Sequence, residues 1–253
     1  MIVLETVAVA FSMFSAVPMP QFAWNRRNMR FALCAFPLVG GCIALLCRLW
    51  LLVCAAFALP QLLRGAGLCL LPVLVTGGIH LDGYADVCDA LASHGSVDKK
   101  QAILKDPHVG AFAIIRLCSY FVASLALWTA LPTVSLPTLL GLFCLSRSLS
   151  GLALTLFPLR EGSGLARSFA EAGDAETMRA VLLVLALASA ALLLAGGQAL
   201  SLLAAALVFL YYRHMCARDF GGLSGDLAGW FLQTAELWML AAMVITHYGR
   251  ALL

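Results

Sequence analysis

The run LPTLLGLFCLSRSLSGLALTLF, residues 136–157, decides what kind of fold this chain can adopt. An α-helix rises 1.5 Å per residue, so the run would reach about 33 Å, enough to cross the roughly 30 Å hydrocarbon core of a bilayer. Its single charge, Arg147, lies near the middle. A cation there is too far from either interface to snorkel easily. It either pairs with an acid such as Glu236 or is available to an anionic substrate.

The rest of the chain agrees with a membrane setting. Of 253 residues, 62% are hydrophobic and 11% charged, against roughly 25% charged in an ordinary soluble domain. Further candidate spans are 31–58, 62–79, 109–130, 180–195, 199–213 and 230–247, with 138–158 the span that the opening run supplies nearly whole. The expected fold is all-α, a polytopic integral membrane helical bundle of about seven transmembrane helices forming one domain over 1–253. Residues 1–17 are apolar, brief and carry Glu5, so they are either an eighth span or an interfacial helix. They lack a basic leading region and a clear cleavage site, so they are not read as a removable signal peptide. The net charge of +3 is spread over several short loops, which does not suggest a nucleic-acid partner. Nine cysteines without a CxxC pair, most of them inside apolar runs, read as small buried hydrophobes.

The connecting segments sort by charge. Segment 18–30 holds Arg26, Arg27 and Arg30; 80–108 holds Lys99, Lys100 and Lys105; 159–179 holds Arg160, Arg167 and Arg179; 213–226 holds Arg213 and Arg218. The alternating segments near 59–66, 131–137 and 196–198 hold only Arg64. The positive-inside rule places the first group in the cytoplasm. Nearly all the acids are in the same group, so the active-site loops are expected near 80–108, 159–179 and 213–229, on the cytoplasmic face.

Within them, TGGIHLDGYADVCDALAS at 76–93 places Asp82, Asp86 and Asp89 at i, i+4 and i+7, one face of a helix. Like charges at that spacing repel, and a hard divalent cation such as magnesium, manganese or calcium reverses the sign of that interaction. A solvated acidic helix start explains one aspartate but not three beside His80. Gly77 and Gly78 allow a kink, and Gly83 allows a ligand to approach the backbone. In KDPHVGAF, 105–112, Asp106 before Pro107 reads as an ordinary helix N-cap, while Lys105 and Gly110 would suit a phosphate at a helix N-terminus. In FGGLSGDLAGWFLQTAEL, 220–237, the positions Asp226, Gly229, Gln233 and Glu236 form a polar stripe expected to face the bundle interior. LREGSGLARSFAEAG, 159–173, sets Arg160 and Glu161 on a Gly-rich loop that suits polyphosphate plus metal, or is a plain solvated loop. His94, His108 and His214 have no metal-ligand spacing. Acids for a hard metal, an intramembrane arginine and Gly-rich loops together favour phosphoryl transfer, which relies on positioning and charge neutralisation.

At this point the chain resembles a known family, that of cobalamin 5'-phosphate synthase, also called adenosylcobinamide-GDP ribazoletransferase. The resemblance runs in order through RFALCAFPLVG at 31–41, TGGIHLDGYADVCDAL at 76–91, KDPHVGAF at 105–112, Arg147, REGSGLARSF at 160–169, and GGLSGD at 221–226 followed by Glu236. The chain departs from the family at Ala90, Pro107 and His108, which bears on fine geometry more than on reaction class. The resemblance implies that a ribose hydroxyl of alpha-ribazole, or of its 5'-phosphate, attacks the phosphoryl group on the corrinoid arm of adenosylcobinamide-GDP and releases GMP. It further implies Mg2+ as cofactor and the cell inner membrane as location, with membrane lipid, a second copy or other corrinoid-assembly enzymes as partners. The residues expected at the site are Asp82 and Asp86 as the primary metal ligands, with Asp89 either a third ligand or just behind them. Arg147 and Lys105 would contact phosphate, and Glu161, Asp226 and Glu236 would serve a second metal, substrate orientation or a base. His80, Asp106, Arg160 and Gly222 are expected to line the substrate. Two alternatives remain at this level. A CDP-alcohol phosphotransferase would need a G-x-x-x-D-x-x-x-D run that this chain lacks, and a cation-coupled transporter would more often place its acids at the midplane.

Overall fold

The computed structural model describes residues 2–22, 25–160 and 174–250. Among these the regular structure is helical, and the one β-type contact is an isolated bridge between Leu159 and Leu223. In chain order the helices are α1 (Ile2–Phe14), α2 (Arg26–Met29), α3 (Ala32–Ala56), α4 (Gln61–Thr76), α5 (Ile79–Ala92), α6 (Val97–Ile103), α7 (Ala111–Ala130) and α8 (Leu136–Leu156). They continue as α9 (Ala175–Ala195), α10 (Ala199–Asp219) and α11 (Gly225–Arg250).

Six of them, α3, α7, α8, α9, α10 and α11, are long and apolar enough to cross a bilayer. The α4–α5 pair passes the same test jointly but is bent by 96° at its break. Six spans plus one broken span match the expected seven. The last three run longer than hydropathy alone suggests, because their ends carry polar residues that a hydrophobic window excludes. α1 has 13 residues and rises only about 20 Å, short of the roughly 30 Å hydrocarbon core. It lies against α3, with Val9, Ala10 and Met13 in a small cluster with Leu33, Ala35 and Met178.

The opening run becomes α8, the most enclosed of the spans: Ser146, Arg147, Ser148, Ser150 and Gly151 are all buried. It packs chiefly between α3 and α9. Without a hydrophobic driving force between helices in lipid, close approach depends on such small residues. Segment 80–108, read from its charge as a connection, instead contains all but the first residue of α5 and all of α6. Charge content marked it as polar, but α5 buries His80, Leu81, Ala85, Val87 and Cys88 on its opposite face.

Candidate active site

The site is built at the break between α4 and α5. Gly77 and Gly78 have φ of 63° and 81°, a left-handed conformation that costs a residue with Cβ roughly 1–2 kcal/mol. Two such residues in succession end α4 and restart the chain as α5 in a new direction. The sequence expectation of a kink at this pair is met.

α5 then lies directly on α11. A Cβ on Gly83 would stand 2.7 Å from the carbonyl oxygen of Asp226, and one on Gly229 would stand 2.9 Å from that of His80. Both positions therefore need glycine for backbone contact between the two helices. This corrects the reading of Gly83: the backbone that approaches it is that of α11, not a ligand. The consequence is chemical, because Asp82 and Asp86 on α5 come into electrostatic reach of Asp226 at the start of α11.

A third segment closes the group. Leu223 N donates to Pro158 O at 2.8 Å and Arg160 N donates to Leu223 O at 3.0 Å, tying the chain after α8 to the turn before α11. Gly222, at φ 144°, presses against the Arg160 backbone. Arg160 is 7% exposed, its charge acts on Asp226, and its Nε and Nη1 are buried with no partner among the described residues. Ser224 Oγ donates to Asp226 at 3.3 Å.

The carboxylates bear directly on the cation question. Asp86 feels the charges of Asp82, Asp226 and Asp89, an arrangement that repels itself unless a cation joins it. Hard oxygen donors of this kind fit magnesium by their chemistry. Among the described residues, however, no three His, Cys, Asp or Glu side chains already converge as a ligand set. Asp89, expected as the third ligand, turns to α7: its Oδ1 accepts from Ala113 N at 3.4 Å, and its carboxylate lies against Gly110. There it complements the positive end of α7. Asp226, expected to serve a second metal, substrate orientation or a base, stands beside Asp82 and Asp86 as the third acid.

Other expected residues separate into two groups. Arg147 and Glu236 meet in the bundle interior: Arg147 Nη1 donates to Glu236 Oε1 at 2.5 Å, to Ser146 Oγ at 3.2 Å and to Phe143 O at 3.0 Å. With side-chain exposures of 1% and 8%, they form a buried ion pair, the first of the two alternatives open to Arg147 in the sequence. The polar stripe of α11 does face inward, since Gly229, Gln233 and Glu236 are buried and Tyr120 donates to Gln233 at 2.5 Å. His80 lies between the two groups, within electrostatic reach of Arg147, 5.7 Å from Phe36 ring to ring, with Nε2 buried and unpartnered.

Lys105 and Asp106 are exposed. Asp106 does not cap α7, whose N-cap is Gly110; it accepts from His108 N at 2.9 Å and pairs with the His108 ring at 2.6 Å. These contacts hold its carboxyl below the usual range. Asp followed by Pro attracted the reading, but three more residues follow Pro107 before α7 begins at Ala111. Glu161 lies outside the described residues. Sequence reasoning missed Lys100, 8% exposed, whose Nζ pairs with Asp219 at 2.6 Å, and Gln101, which donates to Phe220 O at 2.8 Å. Both latch α6 to the end of α10 just before the Gly-rich turn. A lysine in a charged segment gives no local sign of burial.

The fold and this site define a multi-pass membrane protein with a carboxylate-rich, arginine-backed site gathered at one end of its helices. The chain belongs to the cobalamin-5-phosphate synthase family, whose model matches residues 6–244. It is 36% identical over 247 residues to an adenosylcobinamide-GDP ribazoletransferase of Lachnoclostridium phytofermentans, covering 96% of this chain and 95% of that one. Proteins of the same name from Pseudomonas fluorescens and Clostridium perfringens strain SM101 are 34% and 29% identical, covering 83% and 92% of this chain and 86% and 94% of theirs. No solved structure matches the chain.

Proposed function

We propose that this protein joins adenosylcobinamide-GDP to alpha-ribazole, or to its 5'-phosphate, with release of GMP, and that it does so with Mg2+ on the cytoplasmic side of the inner membrane. A ribose hydroxyl forms a new bond to the phosphorus that carries the corrinoid arm. The bond from that phosphorus to the GMP oxygen breaks, GMP takes the electron pair, and the hydroxyl proton is released. The supporting observation is that Asp82, Asp86, Asp226 and Arg160, from three separated segments, come together at one end of the bundle.

Asp82, Asp86 and Asp226 would hold the cation, which when bound neutralises diphosphate charge and stabilises the departing GMP. Arg160 carries buried N–H groups with no partner among the described residues and suits a phosphate oxygen, which a guanidinium can grip in pairs. The Leu159–Leu223 bridge keeps it in register with Asp226. Lys105, exposed on the same side, is free to meet an incoming phosphate. Arg147 and Glu236 act behind the site, as the clamp between α8 and α11. The cytoplasmic orientation is supported by the loops at this end carrying most of the basic residues.

The test is incubation of purified protein with adenosylcobinamide-GDP, alpha-ribazole and magnesium, with mass detection of the corrinoid and of GMP. Product of the joined mass, formed with GMP in equal amount and abolished by chelator, is expected. Cleavage of GMP without joining, or joining undiminished by chelator, rejects the corresponding part of the proposal.

A further inference from the structure

At the opposite end of the bundle from the acids there is a second polar cavity, of about 490 Å³, between the α7–α8 connection, the start of α10 and the last turns of α11. Its polar lining includes Ser135, Thr138, Gln198, His247 and Arg250. Among the described residues no carboxylate lines it, and the segments that form this end, 57–66, 131–138, 196–201 and 243–250, contain no Asp or Glu. They do contain Arg64, His247 and Arg250. Arg64 donates to the carbonyls of Leu131 and Pro132 at 2.6 and 2.5 Å, which adds a third basic group beneath the rim.

The backbone contributes the same sign. α8 and α10 both begin at this cavity, so the positive ends of two 21-residue helices point toward it. Ser135 Oγ caps α8, accepting from Thr138 N at 3.3 Å, while α10 has no side-chain cap. Arg250 gives one N–H to Gly197 O at 2.7 Å, and among the described residues it has no carboxylate partner. Part of its charge offsets the negative end of α11, but that accounts for neither the hydroxyls nor the two helix starts.

The surroundings say what kind of anion fits. Leu131, Val134 and Met243 form the apolar part of the lining. At the same level Trp50 donates to Arg64 O at 3.0 Å and Tyr248 donates to Ala130 O at 3.2 Å, the position that amphipathic aromatics take at a membrane interface. A cavity that is acid-free, cationic, rich in hydroxyls and apolar on one side, at the headgroup level, suits a phosphodiester with its glycerol and the first carbons of its chains. Its volume falls in the range of small-ligand sites.

We propose that this cavity is a binding site for the phosphate headgroup of an anionic membrane lipid, on the face away from the carboxylate site. The proposal is independent of the reaction at the other end. Purified protein in neutral detergent would be heated alone, with added phosphatidylglycerol, with added phosphatidylcholine, and with inorganic phosphate. The same series would be run on Arg250→Gln and His247→Gln, each compared with its own phosphatidylcholine value so that any intrinsic loss of stability cancels. Phosphatidylglycerol is expected to raise the unfolding temperature of the wild type by several degrees over phosphatidylcholine, with the excess at least halved in both variants. An equal response to the two lipids, or an excess that both variants keep, overturns the site. Inorganic phosphate reproducing the full phosphatidylglycerol effect overturns the lipid assignment.

Discussion

Replacing Glu236 by Gln should destabilise this protein far more than loss of a surface acid would, and the structure sets the scale. The Arg147 guanidinium is 1% exposed and its Nη1 has one anionic partner, at 2.5 Å, with Ser146 and the Phe143 carbonyl as neutral supports. Breaking a buried ion pair from one side typically costs about 3–5 kcal/mol because the remaining charge stays buried. At about 1.4 kcal/mol per tenfold, that is roughly a 100- to 4000-fold change in the folding equilibrium. Arg147→Met should cost a similar amount. The double variant, which removes both charges, should recover at least about 2 kcal/mol of the summed losses, since coupled neighbours are not additive. Unfolding in mixed micelles, followed by tryptophan fluorescence across the four proteins, gives the coupling. Single variants of wild-type stability, or losses that simply add, would refute the clamp. Arg147→Met that keeps its stability but loses turnover would instead return Arg147 to the substrate.

Three further outcomes are expected. Asp82→Asn, Asp86→Asn and Asp226→Asn should each lower corrinoid product formation by roughly 100-fold or more, the effect of losing several kcal/mol of transition-state stabilisation, while Asp98→Asn stays within a few-fold; equal losses at all four would reject the site. Gly83→Ala places a methyl 2.7 Å from Asp226 O and should cost about 1–3 kcal/mol by overpacking, read in the same micelle titration, with Gly225→Ala, where nothing lies within 4 Å, as the neutral control. In a background without the native cysteines, cysteine at His94 should label only from the cytoplasm and cysteine at Thr133 only from outside. Labelling of both from one side would overturn the count of crossings between them.

What could be read along the chain are properties that a short run of neighbouring residues decides. An apolar run such as 136–157 must be a span because unpaired backbone groups cannot be left in hydrocarbon, whatever packs beside it. The Gly77–Gly78 kink is local for the same reason, and the inward face of Gly229, Gln233 and Glu236 follows from the cost of exposing polar groups to lipid. The acids could be recognised as a site, but the partners of each could not. Asp226 joins Asp82 and Asp86 only because Gly83 and Gly229 let α5 and α11 touch backbone to backbone. Asp89, on nearly the same helical face, is drawn to the start of α7 instead. Arg147 finds Glu236 across 89 positions of sequence, and Lys100 finds Asp219 across 119. Charge and spacing name the groups that need a partner; which one each receives depends on how the helices lie against one another, and that is set by close contacts between residues far apart in the chain.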